Sequence, residues 1–535
     1  MRSTMMRVPL SLNHFLERAG TLFKDTEIVS RLPDKSLRRQ TYGDFYARTR
    51  RLAAALLALG LKKGERVATL CWNHHAHLEC YFGIPAAGGV MHTLNLRLSP
   101  DEIGWIAGHA EDRFLIVDDV LLPLYSQFEE KHRFEKVIVF PFGGTSVQGF
   151  EDYESFLKKE DSGNFKYAEH EEDDPIAMCY TSGTTGKPKG VVYSHRSTVL
   201  HTLCAALPDN WGLSAADVVL PVTPMFHANS WGIPYGAVAI GAKLVFPGPH
   251  LHPEDLLDLF ELEKPTLSLG VPTIWLSMIQ AYEAQPGRWK FPKGLRTLVG
   301  GAAVPESLIR AYAKHGVRVD QGWGMTETSP VATIAYVKRE FRASEAESFR
   351  RKATAGVPIP LVDLRIVGDE GVAPWDGRAV GEVQVHGPFI TGAYHGVDAK
   401  ERFSEDGWLR TGDVAAVDPH GYVRITDRTK DLIKSGGEWI SSVDLENALM
   451  AHPAVAEAAV IAIPHARWGE RPLACIVLKK DSSQPQKSDF DAHLSPSFAK
   501  WQLPDEYRFI GEIPRTSTGK FWKARLRELY AAKQL

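Results

Sequence analysis

A short polar stretch, TSGTTGKPKG at positions 181–190, has the composition of a phosphate-binding loop. Its hydroxyl groups come from Thr181, Ser182, Thr184 and Thr185, its positive charges from Lys187 and Lys189, and its most flexible backbone from Gly183 and Gly186. Glycines allow backbone N–H groups to turn toward an anion, and the hydroxyls and ammonium groups add further donors. The sequence therefore predicts a loop that binds phosphate.

The spacing in this stretch excludes the loop of the P-loop nucleotidases. That loop requires four residues between its glycines, and a serine or threonine after the lysine to bind Mg²⁺. Here only two residues separate Gly183 from Gly186, and Pro188 follows Lys187. Proline has neither a hydroxyl nor a backbone N–H to offer. A polar surface turn is the alternative for this stretch taken alone.

A second stretch, GWGMTETSP at positions 322–330, places three chemically different groups on one short loop. The ring of Trp323 could stack on a purine base, and the hydroxyl of Thr326 could bind a phosphate oxygen. The carboxylate of Glu327 is a hard oxygen ligand that suits Mg²⁺. A turn or a helix cap is the alternative interpretation of this loop by itself.

Two further motifs end in charged residues. WLRTGD, positions 408–413, ends in Asp413, whose carboxylate could accept two hydrogen bonds from a ribose diol, and Arg428 in ITDRTKD could be its charged partner. PRTSTGK, positions 514–520, ends in Lys520 after a flexible segment. A surface ion pair and a solvated lysine are the corresponding structural alternatives.

The histidines allow two interpretations. His74, His75 and His77 suggest zinc, but their spacing matches none of the usual zinc signatures, and the segment is typical of a helix packed on a sheet. His227 lies in the apolar run PMFHANSWG together with Trp231. A core histidine is the alternative for His227 considered alone.

The bulk properties are typical of a soluble globular protein with more than one domain. A chain of 535 residues is too long for one core, and 44% apolar residues is an ordinary fraction. A formal net charge of -3 predicts no nucleic-acid-binding face. Five scattered cysteines without a C-x-x-C pair favour a reducing compartment. The apolar segment at positions 52–61 is shorter than the ~20 residues of a membrane span and predicts a buried helix.

The order of the patterns predicts an α/β protein with a small second domain. Apolar strand-like runs alternate with amphipathic helices up to about Gly356, which argues for βαβ units and a largely parallel sheet. Short, glycine-punctuated β segments follow and predict a β-rich subdomain. We predict a large N-terminal domain at positions 1–429, a small α+β domain at positions 430–535, and a hinge at Lys430.

Taken in order, seven motifs resemble those of the adenylate-forming enzymes, and most closely those of the bacterial fatty acyl-CoA synthetases. They are TSGTTGKPKG, PMFHANSWG, VGGAAVP, GWGMTETSP, WLRTGD, DRTKDLIKSGGEWIS and PRTSTGK, and they extend over nearly the whole chain. The resemblance implies a large domain and a small rotating domain. It also implies two half-reactions: a carboxylate and ATP give acyl-adenylate and pyrophosphate, and coenzyme A then takes the acyl group and releases AMP.

The resemblance also assigns residues to roles. It implies that Thr181 and Glu327 bind Mg²⁺, that Lys520 catalyses adenylation, and that His227 lies beside the reacting carboxylate. Trp323 stands where the family usually has a tyrosine against adenine, so the ring is kept and the phenol is absent. For nucleotide and coenzyme A binding, the resemblance implies Ser182, Gly183, Thr184, Thr185, Gly186, Lys187, Gly301, Ala302, Gln321, Gly322, Gly324, Met325, Thr326, Asp413, Arg428, Lys434, Gly436, Gly437, Glu438 and Trp439. For the acyl pocket, it implies His227, Asn229, Trp231, Gly300 and Gly301.

The predicted acyl pocket favours an acid with an uncharged tail. PMFHANSWGIPYGAV and TLVGGAAVP contain no lysine or arginine, and an unpaired charge would be costly there. A medium- or long-chain fatty acid is expected. A short-chain acid or 3-methylthiopropanoate is the substrate alternative, since Trp231 could gate a long pocket or close a short one. Luciferase-like and peptide-synthetase-type adenylating enzymes are alternatives outside the CoA ligases. A homodimer is expected from the resemblance, and a cytoplasmic location is expected from the scattered cysteines.

Overall fold

The structure is a computed structural model that describes residues 3–145, 147–181, 187–428, 430–436, 438–480, 482–517 and 519–535. Six of the predicted nucleotide-binding residues, Ser182, Gly183, Thr184, Thr185, Gly186 and Gly437, lie outside the described residues. The other predicted site residues all lie within these ranges.

The first part of the chain alternates strands and helices, as predicted. Its strands are β1 (Glu27–Arg31), β2 (Leu37–Thr41), β3 (Arg66–Leu70), β4 (Val90–Thr93), β5 (Asp112–Asp118), β6 (Lys136–Phe140), β7 (Glu151–Asp152), β8 (Pro175–Tyr180) and β9 (Gly190–Ser194). Its helices are α1 (Asn13–Leu22), α2 (Tyr42–Ala58), α3 (His75–Ala86), α4 (Pro100–His109), α5 (Leu122–Tyr125), α6 (Tyr153–Lys158) and α7 (His195–Ala205). Seven strands form a sheet in the order β7-β6-β5-β3-β4-β8-β9, which is parallel except at its β8–β9 edge.

A second sheet follows and incorporates the first two strands. Its further strands are β10 (Val218–Pro221), β11 (Lys243–Phe246), β12 (Leu267–Gly270), β13 (Arg296–Gly300), β14 (Arg318–Gly324), β15 (Val331–Ile334) and β16 (Val357–Pro358). The helices of this part are α8 (Ile233–Ile240), α9 (Pro253–Glu263), α10 (Pro272–Ala284), α11 (Glu306–Ala313) and α12 (Glu345–Lys352). The nine strands run in the order β16-β15-β14-β13-β12-β10-β11-β1-β2, with antiparallel pairs at both edges.

The two parallel sheets pack through shared helices. All residues of α3 are buried, as expected for a helix with apolar residues on every side. The Tyr81 hydroxyl on this helix donates to the Met225 carbonyl beyond β10, and the Tyr42 hydroxyl on α2 donates at 2.7 Å to the Ala242 carbonyl. These buried bonds fix one layer against the other, and so set the positions of the strand ends that form the site.

The β-rich segment is confirmed as an antiparallel five-stranded sheet. It contains β17 (Asp363–Gly368), β18 (Gly371–Val372), β19 (Gly381–His386), β20 (Leu409–Val417) and β21 (Val423–Arg428), in the order β18-β17-β19-β20-β21. Asp413 on β20 pairs in register with Arg428 on β21. The sheet therefore brings together the two residues predicted to bind ribose.

Within its described residues, the C-terminal segment forms a separate small sheet with three α-helices. Its strands are β22 (Ile433–Ser435), β23 (Glu438–Ile440), β24 (Val455–His465), β25 (Gly469–Leu478) and β26 (Glu506–Phe509), and its helices are α13 (Ser442–Met450), α14 (Lys487–Leu494) and α15 (Lys523–Ala531). Two apolar clusters on the two faces of this sheet hold the helices to it. The α+β pattern predicted for this segment is therefore present.

Three expectations about the N-terminal part can be compared directly with the fold. The apolar segment at positions 52–61 lies mostly in α2, where Leu52 and Leu56 are fully buried. Within the described residues, no helix combines the length and apolar character needed to cross a membrane. His74, His75 and His77 are buried at α3 and contact Asp118, Ser30 and Thr69 respectively, at 2.8–3.1 Å.

Candidate active site

A cavity that contains most of the predicted site residues lies where several parallel strands end. Thr181 follows β8, Gly300 ends β13, and Trp323 lies near the end of β14. Ligands of parallel α/β sheets usually bind outside the carboxyl ends of the strands, because the loops there diverge and leave a crevice. The cavity has a volume of about 300 Å³. Its described lining residues include Thr181, Lys187, Lys189, His227, Trp231, Gly300, Gly301, Trp323, Thr326, Glu327, Tyr394, Arg402, Arg428, Lys430 and Lys520.

Glycine is required at the floor of this cavity. A Cβ atom on Gly300 would come within 2.6 Å of the Gly322 carbonyl oxygen on the neighbouring strand. The next residue, Gly301, has a φ of +87°, which other L-residues rarely adopt. The close approach of β13 and β14 therefore depends on the glycines of the VGGAAVP motif, and it brings the loops after both strands to the same cavity.

Glu327 is the acidic centre of the cavity. It lies in the short 3₁₀ turn Thr326–Thr328 and is 5% exposed. The Tyr394 hydroxyl donates to Glu327 Oε1 at 2.8 Å, and Arg402 Nη2 lies 3.9 Å from the same oxygen. Thr181, the other residue predicted to bind metal, lines the same cavity, and its hydroxyl accepts a hydrogen bond from the Lys189 N–H at 3.1 Å. One carboxylate and one hydroxyl thus face the same space.

The positive charges of the site come from distant parts of the chain. Lys187 and Lys189 belong to the predicted phosphate-binding loop, Arg402 lies before β20, and Lys520 belongs to the C-terminal segment. Lys187 Nζ lies 5.1 Å from the ring centroid of Trp105 on α4, a cation–π distance. Cations surrounding a buried carboxylate form an environment suited to a polyanion that carries a metal ion.

Lys520 reaches into the cavity from the small domain. Its Cε would lie 3.2 Å from a Cβ on Gly301. The loop that carries it contacts the large domain through the Asn95 amide, which donates to Ser517 Oγ at 3.2 Å. Burial, together with the positive charge of Arg428, lowers the pKa of Lys520 to about 8, although Asp413 and Glu327 oppose this shift. The Lys520 ammonium group therefore loses its proton near pH 8, well below the usual lysine pKa of 10.5.

Trp323 and Asp413 are linked by a hydrogen bond that the sequence did not predict. The indole Nε1–H of Trp323 donates to Asp413 Oδ2 at 2.8 Å, and Arg428 Nε lies 3.3 Å from Asp413 Oδ1. Trp323 therefore supplies a hydrogen-bond donor although it lacks the phenol of a tyrosine. Its hydrogen bond fixes the Asp413 carboxylate, which is predicted to bind ribose. Asp413, Ala302 and Gln321 line a second cavity of about 470 Å³ that shares Gly301, Trp323 and Lys520 with the first.

The apolar end of the cavity is formed by an unusual turn after His227. Residues Ala228, Asn229, Ser230 and Trp231 all have left-handed backbone angles, with φ between 41° and 58°. Such angles are strained for residues other than glycine, so tertiary contacts must hold them. The Ser230 hydroxyl donates to the Thr223 carbonyl at 2.8 Å, and the Cys179 thiol lies 3.2 Å from Asn229 Oδ1.

This turn directs Trp231 toward the glycine floor of the cavity and directs Asn229 away from the cavity. Trp231 Cη2 would lie 3.4 Å from a Cβ on Gly300, so the ring packs against the glycine floor. Asn229 is buried and does not line the cavity, and its predicted contact with substrate stays a prediction. Burial, with smaller effects of Lys520 and Arg97, lowers the pKa of His227 to about 3, so its imidazole is neutral near pH 7.

The remaining predicted residues are separated from the two cavities. Lys434, Gly436, Glu438 and Trp439 belong to the β22–β23 hairpin of the small domain, are exposed, and line neither cavity. In this orientation of the small domain, Lys520 and Lys430 reach the site and the hairpin does not. The role of the hairpin therefore stays a prediction that requires another orientation.

Sequence analysis missed two residues that contact Glu327. Tyr394 lies in GAYHG and Arg402 in KERF, between strands of the β-rich sheet, where neither belongs to a recognisable motif. Only the folding of this sheet against β14 brings them to the carboxylate. A tyrosine or arginine in a polar loop carries no local signal of such a contact.

Comparison with known proteins agrees with this arrangement of strands, loops and charged groups. Residues 16–395 match the family of AMP-binding enzymes, and residues 444–520 match the AMP-binding enzyme C-terminal domain. The chain belongs to the AMP-binding, adenylate-forming enzyme family.

Individual relatives extend the comparison to the full length of the chain. A long-chain-fatty-acid–CoA ligase of Thermus thermophilus is 50% identical, over 99% of this chain and 97% of that protein. A 3-methylmercaptopropionyl-CoA ligase of Ruegeria lacuscaerulensis is 41% identical, over 99% of this chain and 98% of that protein. The crystal structure of the anthranilate CoA ligase AuaEII with anthranoyl-AMP has a TM-score of 0.85 and 25% identity, over 99% of this chain and 100% of that one.

Proposed function

We propose that this protein is an AMP-forming acyl-CoA ligase that activates medium- or long-chain fatty acids. A fatty acid and ATP give acyl-adenylate and pyrophosphate, and the thiol of coenzyme A then gives acyl-CoA and AMP. The proposed boundary between the domains is at positions 429/430, with Lys430 as the hinge. A homodimer and a cytoplasmic location stay predictions, the first from the resemblance and the second from the cysteine pattern.

The observation that carries this proposal is the position of Lys520. The lysine comes from the small domain, yet it lies beside Gly301 in a cavity built by the large domain, which also contains Glu327. Attack of a carboxylate on the α-phosphate increases negative charge on the phosphate and leaving oxygens, and a fixed cation stabilises that charge best in the transition state. The location of Lys520 in this cavity supports its proposed role in this step.

Thr181 and Glu327 fit the Mg²⁺ ion that the family implies. A buried carboxylate and a hydroxyl facing one cavity are hard oxygen donors, which Mg²⁺ prefers. In this protein they would hold the ion together with ATP phosphate oxygens, and the ion would neutralise charge on those oxygens. Lys187, Lys189 and Arg402 would bind the same phosphates directly.

The fatty acyl assignment is supported by the apolar end of the cavity. The described residues there are His227, Ala228, Trp231, Leu298, Gly300 and Val331, and none of them carries a charge when His227 is neutral. The charged residues lie at the phosphate end. The 50% identical relative is named for long-chain fatty acids, whereas the relative named for a short methylthio acid is less similar.

The first experiment is to measure AMP and acyl-CoA formation with ATP, Mg²⁺ and coenzyme A. The acids tested are straight chains from short to long and 3-methylthiopropanoate. A maximum of kcat/KM among medium or long chains is expected. A maximum at the methylthio acid or at short chains would replace the fatty acyl assignment with the short-acid alternative, and absence of AMP formation with every acid would contradict the ligase assignment.

The rate of adenylation is expected to fall at alkaline pH. The pKa of Lys520 is about 8, and a lowered lysine pKa means that the positive charge is lost as pH rises through that value. We therefore expect kcat/KM for ATP to decrease by about tenfold per pH unit above pH 8. His227, with a pKa of about 3, does not contribute to this limb.

A pH profile of pyrophosphate release, from about pH 6 to about pH 10, tests this expectation. Lys520→Arg keeps a positive charge throughout this range, so its remaining activity should lack the alkaline decrease. The same decrease in both proteins would assign it to another group.

Trp231→Ala is expected to change the preference for chain length. The indole bounds the apolar end of the cavity, and its removal takes away contacts to short acids and leaves room for longer ones. Since one methylene in an apolar pocket changes specificity by about tenfold or more, the ratio of kcat/KM for a long acid to that for a short acid should rise at least about tenfold. Trp375, which is 41% exposed and does not line the cavity, provides the control variant Trp375→Ala. An unchanged ratio would mean that Trp231 does not bound the acyl site.

A further inference from the structure

Four polar side chains form a buried cluster beside the proposed hinge. This hinge-side network consists of Asp427 on β21, Ser442 and Glu446 on α13, and Lys523 on α15. None of the four belongs to the residues predicted to bind nucleotide, acid or coenzyme A. Buried charged groups are costly unless they are paired, so a network of this kind requires an explanation.

Lys523 is held by two partners on α13. Its Nζ lies 2.7 Å from Glu446 Oε1 and donates to Ser442 Oγ at 2.5 Å. The lysine and glutamate side chains are 11% and 9% exposed. Lys523 is also the first residue of α15, where the helix dipole disfavours a cation. The bonds to α13 therefore offset an otherwise unfavourable position and fix the start of α15.

Ser442 connects this pair to the large domain. The Ser442 backbone N–H donates to Asp427 Oδ2 at 2.9 Å, and its hydroxyl donates to the same oxygen. Asp427 precedes the proposed hinge Lys430 in the chain, and Ser442 follows it. A rotation about Lys430 moves Ser442 relative to Asp427 and separates them. The complete network consequently belongs to the present orientation of the small domain.

The network lies close to Lys520 along the chain. Lys523 follows it by three residues, and the segment before Lys523 is folded back on itself. The Thr516 N–H donates to the Lys520 carbonyl at 2.8 Å, and the Trp522 N–H donates to the Pro514 carbonyl at 2.7 Å. These two bonds tie Lys520 to the segment that leads into α15, so a displacement of the start of α15 also displaces Lys520.

We propose that Lys523 is a positioning residue for Lys520 and that the hinge-side network favours the orientation that forms acyl-adenylate. The proposal rests on the proposed function, since it assigns the network to one of the two half-reactions. The small domain must leave this orientation for thioester formation, so the network stabilises the first step only. Breaking it should therefore affect the two half-reactions unequally.

The test is Lys523→Met, with the half-reactions measured separately. Methionine keeps much of the apolar length of lysine and removes the charge. We expect the rate of acyl-adenylate formation, measured as pyrophosphate release without coenzyme A, to fall by about 10- to 100-fold. Small displacements of a catalytic group reduce rates by this factor. Transfer from supplied acyl-adenylate to coenzyme A should stay within about twofold of the wild type, since that step does not use this orientation.

Two further variants make the result specific. Arg525→Met changes a cation on the same helix that pairs only with the exposed Glu528 among the described residues, and it should leave both steps unchanged. Ser442→Ala removes one hydroxyl and should give the same unequal effect at smaller size. Lys523→Met leaves the buried Glu446 carboxylate without its cation, and if that variant does not fold, Ser442→Ala provides the test instead.

The outcomes separate this proposal from the function on which it rests. Wild-type protein that performs neither half-reaction would contradict the proposed function. Wild-type protein that performs both, with folded variants that lose both steps equally or lose neither, would overturn the positioning role. Loss confined to acyl-adenylate formation supports it.

Discussion

Replacement of Lys520 by Ala is expected to reduce acyl-adenylate formation by about 10²–10³-fold, the usual cost of removing one fixed group that stabilises transition-state charge. The reason is geometric: Lys520 comes from the small domain and enters the cavity beside Gly301. Binding of ATP should change much less, because Lys187, Lys189 and Arg402 come from the large domain and remain. Pyrophosphate release and equilibrium binding of ATP measure the two quantities.

The second half-reaction and a surface lysine provide the controls for this variant. Transfer from supplied acyl-adenylate to coenzyme A should be retained in Lys520→Ala, since the role proposed for the ammonium is at the departing pyrophosphate. Lys500, an exposed lysine of the same domain, provides the control Lys500→Ala, which should behave as wild type. Unchanged turnover of Lys520→Ala would remove the central support of the proposed function.

Replacement of Glu327 by Gln is expected to have a comparable effect through Mg²⁺. The amide keeps the size of the side chain and can still accept the hydrogen bond from Tyr394, but it loses the negative charge. Loss of a metal-binding carboxylate removes several kcal/mol of transition-state stabilisation, so acyl-adenylate formation should fall by about 10²–10³-fold. The Mg²⁺ concentration that gives half-maximal activity should rise.

A titration of activity with Mg²⁺ tests this prediction. Tyr394→Phe is the matched control, because it removes only the hydroxyl that donates to Glu327 and leaves the carboxylate in place. We expect a small change in its Mg²⁺ requirement. Activity of Glu327→Gln within about threefold of wild type, at the same Mg²⁺ concentration, would mean that this carboxylate does not bind the metal.

The effects expected for Glu327→Gln and Lys520→Ala differ in one respect, because the two residues belong to different domains. Glu327 is carried by the large domain and is present in every orientation of the small domain, whereas Lys520 depends on the docking of the small domain. The metal requirement should therefore persist in variants of the hinge-side network, while the contribution of Lys520 should decrease in them. This difference separates a damaged cavity from a displaced lysine.

Local sequence determined the chemistry and the class of fold. The loops with Thr181, Glu327 and Lys520 were found because glycines, hydroxyls and charged residues occur close together in each motif, and alternating apolar periods indicated the βαβ units. These signals extend over a few residues to about twenty, so they can be read without tertiary contacts. The order of the motifs then sufficed to identify the family.

Only the tertiary structure decided how these groups meet. The bond from Trp323 to Asp413 joins residues 90 positions apart, and the Tyr394–Glu327 bond spans 67 positions. No periodic pattern in the sequence predicts either contact, because both depend on how one sheet packs on another. The left-handed turn before Trp231 is similar: its residues have no sequence signal for positive φ, and buried partners hold them there.

The hinge-side network is the strongest case of this distinction. Asp427, Ser442 and Lys523 are ordinary polar residues in the sequence, and their spacing predicts nothing more than solvent-exposed positions. They become a unit because β21, α13 and α15 converge beside Lys430. Sequence specifies which residues can do chemistry over short distances, whereas contacts between distant elements decide when and in which orientation they do it, since those contacts form only when the elements pack.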